Sequence, residues 1–326
     1  MSKKFQKKVN VFVLSSFKGW ILEGQFKDAA AVSKIKLKVR YIPSQKIHLL
    51  RILDTLGFLL SFRTNRPYLF VNQTTFYFAN RIKLMRFNPE LCSVFYSHYS
   101  DNVLNRNQQA KLLSKCKKIL VHSKQEANKL IMDGVPKSKI LVIYGGINRN
   151  IFYPSERPKT KDELAKEGYV IVVGDCKSRK NPLLIIKVIQ KMKDQKFLIH
   201  GRGWQKFLNE NFIETPNNLE LQEFLFKNQP SLIRHASVFL SLSLMEGGPY
   251  PTLEALASGT PVVVTETGWN REVVTKEFGI VLPFNSSTER IIFAIQKMKS
   301  LKIKASNLDL LNGKFTWEEF ADKVFF

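Results

Sequence analysis

Two acidic residues, Glu246 and Glu254, stand eight positions apart around a turn rich in glycine and proline. The apolar residues before the turn predict a strand, and those after it predict a helix. Glycine lets the backbone approach a ligand, proline suits a helix start, and the first amides of a helix bind anions such as diphosphates. We expect Glu254, in the first helical turn, to bind ribose hydroxyls and Glu246 to lie on the other side of the diphosphate. The predicted nucleotide-binding residues here are Gly247, Gly248, Pro249, Tyr250, Pro251, Thr252, Leu253 and Glu254.

A second turn is rich in basic residues. Residues 173–182 read Val-Gly-Asp-Cys-Lys-Ser-Arg-Lys-Asn-Pro, which predicts a strand end, a tight turn and three cations before a helix. Arg179 offers a two-pronged fork and Lys180 a point charge to phosphate oxygens. The chain contains no Asp-x-Asp sequence for a divalent metal, so we expect these cations and helix-end amides to stabilise a departing diphosphate without one. A solvated basic turn is the alternative.

The run that begins at Glu246 also carries a family resemblance. It reads Glu-Gly-Gly-Pro-Tyr-Pro-Thr-Leu-Glu-Ala-Leu-Ala-Ser-Gly-Thr-Pro-Val and resembles the E-x7-E signature of the retaining glycosyltransferases of family four, which have the GT-B fold. The resemblance implies that Glu246 lies beside the sugar of a nucleotide-sugar donor and that Glu254 binds the nucleotide ribose. An ordinary strand–turn–helix with solvated acids is the alternative.

Further candidates follow other predicted strands. Gly174 ends one strand, and Gly201, in His-Gly-Arg-Gly, resembles the family's Gly-x-Gly turn near the nucleotide. Gly19 is a candidate for the loop that faces the donor diphosphate, although the family's paired glycines are missing. His98 lies just past a strand end, where ligands gather in open α/β sheets, and the family often has a histidine near the donor sugar. Plain turns and a structural histidine are the alternatives.

One position departs from the family pattern. Asp175 stands where family members usually carry the arginine of a Gly-Arg pair, whereas Lys180 and Asn181 match the expected pair five residues on. We expect Arg179 to supply the missing guanidinium. The charge reversal also keeps open an inactive GT-B homologue that acts as a scaffold.

Apolar runs alternate with helical patterns along the chain, which predicts two α/β domains with parallel sheets. With the resemblance, this implies an α/β protein of the GT-B class: two Rossmann-like domains with parallel sheets facing across a cleft. Residues 1–150 are expected to form a basic, acceptor-side domain. Residues 151–326 are expected to bind the nucleotide sugar, with a linker at 150–161 and a last helix that packs back on the first domain.

The predicted strands are 9–14, 37–41, 68–71, 93–96, 119–122, 140–143, 169–173, 197–200, 219–222, 238–241, 262–265 and 280–282. The predicted helices include 48–60, 108–115, 124–132, 182–193, 228–235, 252–257, 289–299 and 317–324.

The charge of the chain is strongly positive and uneven. Residues 1–155 hold 27 Lys and Arg against 7 Asp and Glu, whereas residues 156–326 hold 24 against 20. Such a field attracts polyanions, so we expect a cytoplasmic protein that is peripheral on the inner face of an anionic membrane. The three cysteines are widely spaced, which fits a reducing compartment. A lysine-rich surface that only aids solubility is the alternative.

The resemblance and the cationic turn together imply a metal-independent, retaining hexosyltransferase in cell-surface glycan biosynthesis. It would move a sugar from a UDP- or GDP-type donor to a hydroxyl of a glycan or lipid-linked acceptor, with no cofactor. The catalytic candidates are Glu246, His98, Arg179 and Lys180. A basic nucleic-acid-binding protein is a rival that the net charge of +24 favours, although no base-reading or RNA-binding motif is present. A nucleotide-sugar epimerase of the same fold is another.

Overall fold

The computed structural model describes residues 10–15, 21–33, 35–41, 67–81, 88–99, 104–155 and 168–325. The chain forms two compact units, of which the first contains residues 1–146 and 315–326 and the second residues 147–314. The predicted helix at 48–60, the candidate Gly19 and the second half of the predicted linker, 156–161, lie outside the described residues.

The first unit is built on a parallel sheet with the strand order β2-β1-β3-β4-β5-β6. Its strands are β1 (Asn10–Ser15), β2 (Lys36–Tyr41), β3 (Tyr68–Phe70), β4 (Cys92–Tyr96), β5 (Lys118–Val121) and β6 (Ile140–Val142). Its helices include α1 (Ile21–Val32), α2 (Gln73–Arg81), α3 (Arg106–Leu113) and α4 (Lys124–Met132). Ser123 explains where α4 begins, because serine is a favoured residue before a helix. Its side chain accepts a hydrogen bond from the Glu126 amide at 3.1 Å.

The second unit has a parallel sheet of its own, with the order β12-β11-β10-β7-β8-β9. Its strands are β7 (Val170–Val173), β8 (Phe197–His200), β9 (Leu219–Gln222), β10 (Val238–Ser241), β11 (Val262–Thr265) and β12 (Gly279–Leu282). Its helices are α5 (Pro182–Lys191), α6 (Trp204–Glu210), α7 (Gln229–His235), α8 (Tyr250–Ala257), α9 (Asn270–Val273), α10 (Thr288–Lys299) and α11 (Ala305–Lys314). β7, β8 and β11 are buried along their whole length, as expected for strands covered on both faces.

The last helix, α12 (Trp317–Phe325), packs with the first unit. Its Phe320, Ala321 and Val324 are buried in one apolar cluster with Val13 and Phe26. Burial of a large apolar side chain is worth about 1.5–3 kcal/mol, so this short helix is held by the face that its sequence pattern predicts. Among the described residues, no helix is long and apolar enough to cross a membrane.

The predicted strands agree with the observed ones to within one residue at each end. The predicted helices were less accurate, because several begin or end two residues away and α1, α2, α6, α9 and α11 were not predicted. In both units the strands are parallel, so their carboxyl ends meet at one edge of each sheet. That edge of the second sheet carries most of the candidate site.

Candidate functional site

Glu246 follows β10 and holds two cations. Its Oε1 lies 2.6 Å from Arg179 Nη1 and 2.6 Å from Lys180 Nζ. Both cations come from the turn after β7, the strand next to β10 in the sheet. The structure therefore brings together three of the four catalytic candidates at one edge of the second sheet.

The charges in this cluster favour an ionised Glu246. The side chain is 12% exposed, and burial alone would raise its pKa. Lys180 and Arg179 lower the pKa more strongly, so that it lies below the usual value of a glutamate. Two cations and one carboxylate leave a net positive charge, which can attract a second anion. In the described part of the chain, no three His, Cys, Asp or Glu side chains form a group that could hold a metal ion.

Backbone contacts fix the cationic turn against the loop after β10. Arg179 Nη1 donates to the carbonyl of Met245 at 3.2 Å, and the Leu244 amide donates to the carbonyl of Arg179 at 2.7 Å. Residues 178–180 form a 3₁₀ turn, and Asn181 follows in the left-handed region with φ 59° before α5 begins. The cations are thus held in place by the backbone as well as by their ion pairs.

Two candidate glycines permit the close packing of the turns after β7 and β8. Gly174 has φ 130°, and a Cβ there would lie 3.2 Å from Lys180 Cε. A Cβ on Gly201 would lie 2.0 Å from the carbonyl oxygen of Gly174, which no side chain tolerates. The same oxygen accepts a hydrogen bond from Trp204 Nε1 at 2.9 Å. These glycines therefore shape the space around Lys180, and contact with a ligand stays a prediction.

Asp175, the departure from the family pattern, has a cationic partner. Arg202, in the turn after β8, donates to Asp175 from its backbone amide at 3.1 Å, from Nε at 3.1 Å and from Nη2 at 2.8 Å. Burial alone would raise the pKa of Asp175, but these contacts with Arg202 lower it. Sequence reasoning missed Arg202, although an acid at a site expected to hold a cation was a signal for a compensating arginine nearby.

The glycine turn leads into α8 earlier than predicted. The helix begins at Tyr250, after Pro249 with φ −74°, and Pro251 occupies its second position. Proline is favoured there because the first helical positions need no N–H partner. Glu254 therefore lies in the second turn, and the prediction that it lies in the first was wrong.

The start of α8 limits which backbone groups can meet an anion. Pro249 and Pro251 have no N–H, and the Thr252 amide donates to the carbonyl of Pro249 at 3.0 Å. The other backbone N–H groups of this turn, which an anion could meet, belong to Gly247, Gly248 and Tyr250.

Two other candidates in α8, Thr252 and Leu253, face the interior. Both have no exposed surface, so their side chains pack in the core and reach no ligand in this conformation. Their contribution is therefore to hold α8 against the sheet.

The segment after β11 packs against the backbone of the glycine turn. Gly268 has φ 54°, and a Cβ there would lie 2.6 Å from the carbonyl oxygen of Gly247 and 2.9 Å from that of Glu246. The next residue, Trp269, is fully buried and packs edge-on against Tyr250 with ring centroids 5.2 Å apart. This segment therefore fixes the backbone between the two acids.

Glu254 has an amide as its partner. Gln229, at the start of α7, is 3% exposed and donates from Nε2 to Glu254 Oε2 at 2.5 Å. Burial raises the pKa of Glu254 to about 7, and the hydrogen bond from Gln229 offsets only part of that shift. Sequence reasoning missed Gln229, because nothing in the local pattern distinguishes it from a polar helix-start residue.

His98 lies just after β4 in the first unit. Gln73, which is 2% exposed, hydrogen-bonds the backbone just after this strand. Its Nε2 donates to the His98 carbonyl at 2.6 Å, and its Oε1 accepts from the Ser97 amide at 3.2 Å. The backbone at His98 is therefore fixed from within its own unit. A role for His98 beside a sugar stays a prediction.

The region that carries the site matches a known family. The family model described as glycosyl transferases group 1 matches residues 155–309, which include Glu246, Glu254, Arg179 and Lys180. An uncharacterized glycosyltransferase of Methanocaldococcus jannaschii is 28% identical over 210 residues, covering 62% of this chain and 56% of the relative. The UDP-Gal:alpha-D-GlcNAc-diphosphoundecaprenol alpha-1,3-galactosyltransferase of Escherichia coli is 28% identical over 210 residues, covering 58% and 54%. The matched regions thus span about half the length of these relatives.

Solved structures show the fold of both units. Anabaena HepE, solved in complex with UDP-glucose, superposes with a TM-score of 0.75 at 16% identity and covers 96% of this chain and 97% of its own. The sucrose-phosphate synthase of Thermosynechococcus elongatus gives a TM-score of 0.71 at 15% identity, covering 96% of each chain. The protein therefore has the GT-B fold, and residues 155–309 of its second unit match the glycosyl transferases group 1 family model.

Proposed function

We propose that this protein is a retaining glycosyltransferase that moves a hexose from a nucleoside-diphosphate sugar to an acceptor hydroxyl without a metal ion. The observation that carries the proposal is the cluster of Glu246, Arg179 and Lys180, with both cations 2.6 Å from the carboxylate. The cluster lies at the carboxyl edge of the second sheet, where open α/β sheets bind ligands, and inside the region that matches the glycosyl transferases group 1 family.

The cations would stabilise the departing diphosphate. Breaking the bond between the sugar and the phosphate leaves negative charge on the diphosphate, and fixed positive groups lower the energy of that state. Arg179 and Lys180 supply such charge without a metal, and the backbone at Gly247 and Gly248 adds amide donors. Because Glu246 and the neighbouring backbone already hold the two side chains, little reorganisation is needed when the diphosphate forms.

The acids would bind the rest of the donor. Glu254 accepts hydrogen bonds from the ribose hydroxyls, and Glu246 contacts the transferred sugar while it positions the cations. Attack on the face that the diphosphate leaves would retain the configuration at the sugar carbon, with the leaving phosphate taking the acceptor proton. His98 remains a candidate sugar contact on the family resemblance alone.

A UDP-sugar is the first donor to test, and a GDP-sugar is the second. The HepE structure contains UDP-glucose, and the Escherichia coli relative is named for transfer from UDP-Gal. A thermal-shift screen of UDP-, GDP- and ADP-sugars should select one nucleotide class, because a ligand that binds the folded state raises its stability. Release of nucleoside diphosphate should then depend on an acceptor and persist in EDTA. No shift with any sugar nucleotide would contradict the proposal, and loss of activity in EDTA would contradict metal independence.

We further propose an acceptor at the cytoplasmic face of an anionic membrane, such as a lipid-linked glycan precursor. The excess of basic residues in the first 155 supports this proposal, since each Lys or Arg near such a surface is worth about 1 kcal/mol. Co-sedimentation with vesicles should require anionic lipid and weaken with salt. Equal partitioning onto neutral vesicles would overturn this part of the proposal.

The same basic charge favours one rival, a nucleic-acid-binding protein. Binding to DNA or RNA would depend steeply on salt and survive Glu254→Ala, whereas donor binding would not. Titration of labelled RNA and of the selected sugar nucleotide against wild type and this variant separates the two functions.

A further inference from the structure

The side chain of Gln73 holds the backbone just past the end of β4. The parallel pairing of β3 with β4 ends at Phe70 and Val94. Gln73 lies three residues past that pair on one strand, and Ser97 lies three residues past it on the other. The chain turns into α2 at Gln73, and from there its side-chain amide bridges to the residues that follow β4.

The partners of this amide fix its orientation. A backbone N–H only donates and a carbonyl only accepts, so Gln73 Oε1 faces the Ser97 amide and Nε2 faces the His98 carbonyl. Asn72 fixes the start of the helix that carries Gln73, because its Oδ1 accepts a hydrogen bond from the Thr75 amide at 2.7 Å. The amide therefore cannot turn over without losing both contacts.

The two contacts enclose His98 from both sides along the chain. The Ser97 N–H belongs to the peptide group before Ser97, and the His98 carbonyl belongs to the peptide group after His98. Because peptide groups are planar, holding both of them restricts the backbone dihedral angles that lie between them. Those angles set the direction in which the His98 side chain leaves the backbone.

We propose that Gln73 is a positioning residue, which holds His98 in the orientation needed beside the transferred sugar. His98 is the catalytic candidate of the first unit, whereas Glu246, Arg179 and Lys180 belong to the second. A displacement of about 1 Å at a reacting centre can lower a rate about 10²-fold, so a buried residue that touches no ligand can still control activity. The inference rests on the proposed function, because Gln73 acts on the same sugar through His98.

A purely structural role for Gln73 makes a different prediction. If its amide only stabilises the fold, any effect of its replacement on kcat is the same with and without the imidazole of His98. If it acts through His98, its replacement lowers kcat in wild type and has little effect once the imidazole is absent. A double-mutant cycle measured by release of nucleoside diphosphate separates these cases.

The cycle consists of wild type, Gln73→Met, His98→Ala and the double variant. Methionine matches the length of glutamine and lacks the amide. Gln73→Met should lower kcat about 10- to 100-fold in wild type and less than about threefold in the His98→Ala background. The affinity for UDP (or GDP, if the screen selects it) should change less than about twofold in isothermal titration, because the ribose and diphosphate contacts are expected on the second unit.

Gln109→Met is the matched control in the same unit. Gln109 is also 2% exposed, and its amide donates to the Leu104 carbonyl at 2.7 Å and accepts from the Tyr77 hydroxyl at 3.1 Å. Its replacement should lower stability to urea while kcat changes less than about threefold. If Gln73→Met does not fold, Gln73→Asn is one methylene shorter, withdraws the amide from both partners and should give the same pattern.

A kcat loss from Gln73→Met that persists in the His98→Ala background would overturn the inference. Wild-type kcat in either Gln73→Met or His98→Ala would overturn it as well. A wild type that binds no sugar nucleotide and releases no nucleoside diphosphate would instead contradict the proposed function, so the two failures are distinguishable.

Discussion

Glu246 and Glu254 are the same residue type on either side of one glycine turn, yet their surroundings differ in charge. Glu246 has two cations at 2.6 Å and a lowered pKa. Glu254 has an uncharged amide as its partner and a pKa raised to about 7. Neighbouring groups therefore set the charge of these two carboxyl groups, which are of the same residue type. Glu246 remains ionised and holds cations, whereas Glu254 is suited to accept hydrogen bonds from hydroxyls.

The cations beside Glu246 distinguish its surroundings from those of Glu254. Lys180→Met should lower kcat about 10²- to 10³-fold, the effect of losing one preorganised group that stabilises charge in the transition state. The measurement is steady-state release of nucleoside diphosphate. Lys177→Met is the matched control, because Lys177 is exposed in the same turn, and it should change kcat less than about threefold if surface charge alone is unimportant. Equal losses in the two variants would show that only the overall positive charge matters.

The backbone between the two acids is the next point to test. Gly268→Ala should destabilise the protein by about 1–3 kcal/mol, because the new Cβ is forced against the carbonyls of Glu246 and Gly247. Urea unfolding measures this loss, and the remaining folded protein should bind the sugar nucleotide more weakly. Gly313→Ala is the control, since nothing lies within 4 Å of a Cβ there, and it should not destabilise. An unchanged free energy of unfolding in Gly268→Ala would mean that close packing of Gly268 does not hold the turn between the acids.

The sequence predicted what depends on local pattern and missed what depends on contacts between distant residues. Runs such as Val262–Thr265 are apolar and β-branched, and their bounds were predicted correctly. The predicted start of α8, residue 252, was two residues too late. Proline is compatible with the first turn of a helix and with the residue before it, so Pro251 does not mark the helix start in the sequence. Arg202 and Gln229 were missed because their partners lie 27 and 25 residues away along the chain. The pairing of β7 with β8 brings Asp175 and Arg202 together, and the packing of α7 against α8 brings Gln229 and Glu254 together.

The raised pKa of Glu254 predicts a pH dependence of stability that Glu246 does not share. A carboxyl whose pKa is higher in the folded state stabilises the fold below its unfolded pKa, and this contribution is lost as pH rises through about 7. Glu254→Gln mimics the protonated form, so at pH 8 it should be more stable than wild type by about 1–2 kcal/mol, a value reduced because the residue is partly exposed. The two proteins should converge below about pH 4.5, the ordinary pKa of the glutamate in the unfolded chain. Urea unfolding at several pH values checks this, and a constant difference across that range would contradict the assignment.

The smallest expected effect concerns Asp175 and Arg202, a more exposed pair at the same edge. Arg202 is 66% exposed in its side chain, and exposed ion pairs contribute about 0–1 kcal/mol. A double-mutant cycle with Asp175→Asn and Arg202→Gln should therefore give a coupling below about 1 kcal/mol in urea unfolding. A much larger coupling would mean that this exposed pair stabilises the protein as strongly as the buried cluster at Glu246.

The most direct test is a crystal structure of the protein with the sugar nucleotide that raises its melting temperature most. We predict the ribose hydroxyls on Glu254 and diphosphate oxygens within hydrogen-bond distance of Lys180 or Arg179. A nucleotide bound elsewhere, or a diphosphate that contacts neither cation, would contradict the account.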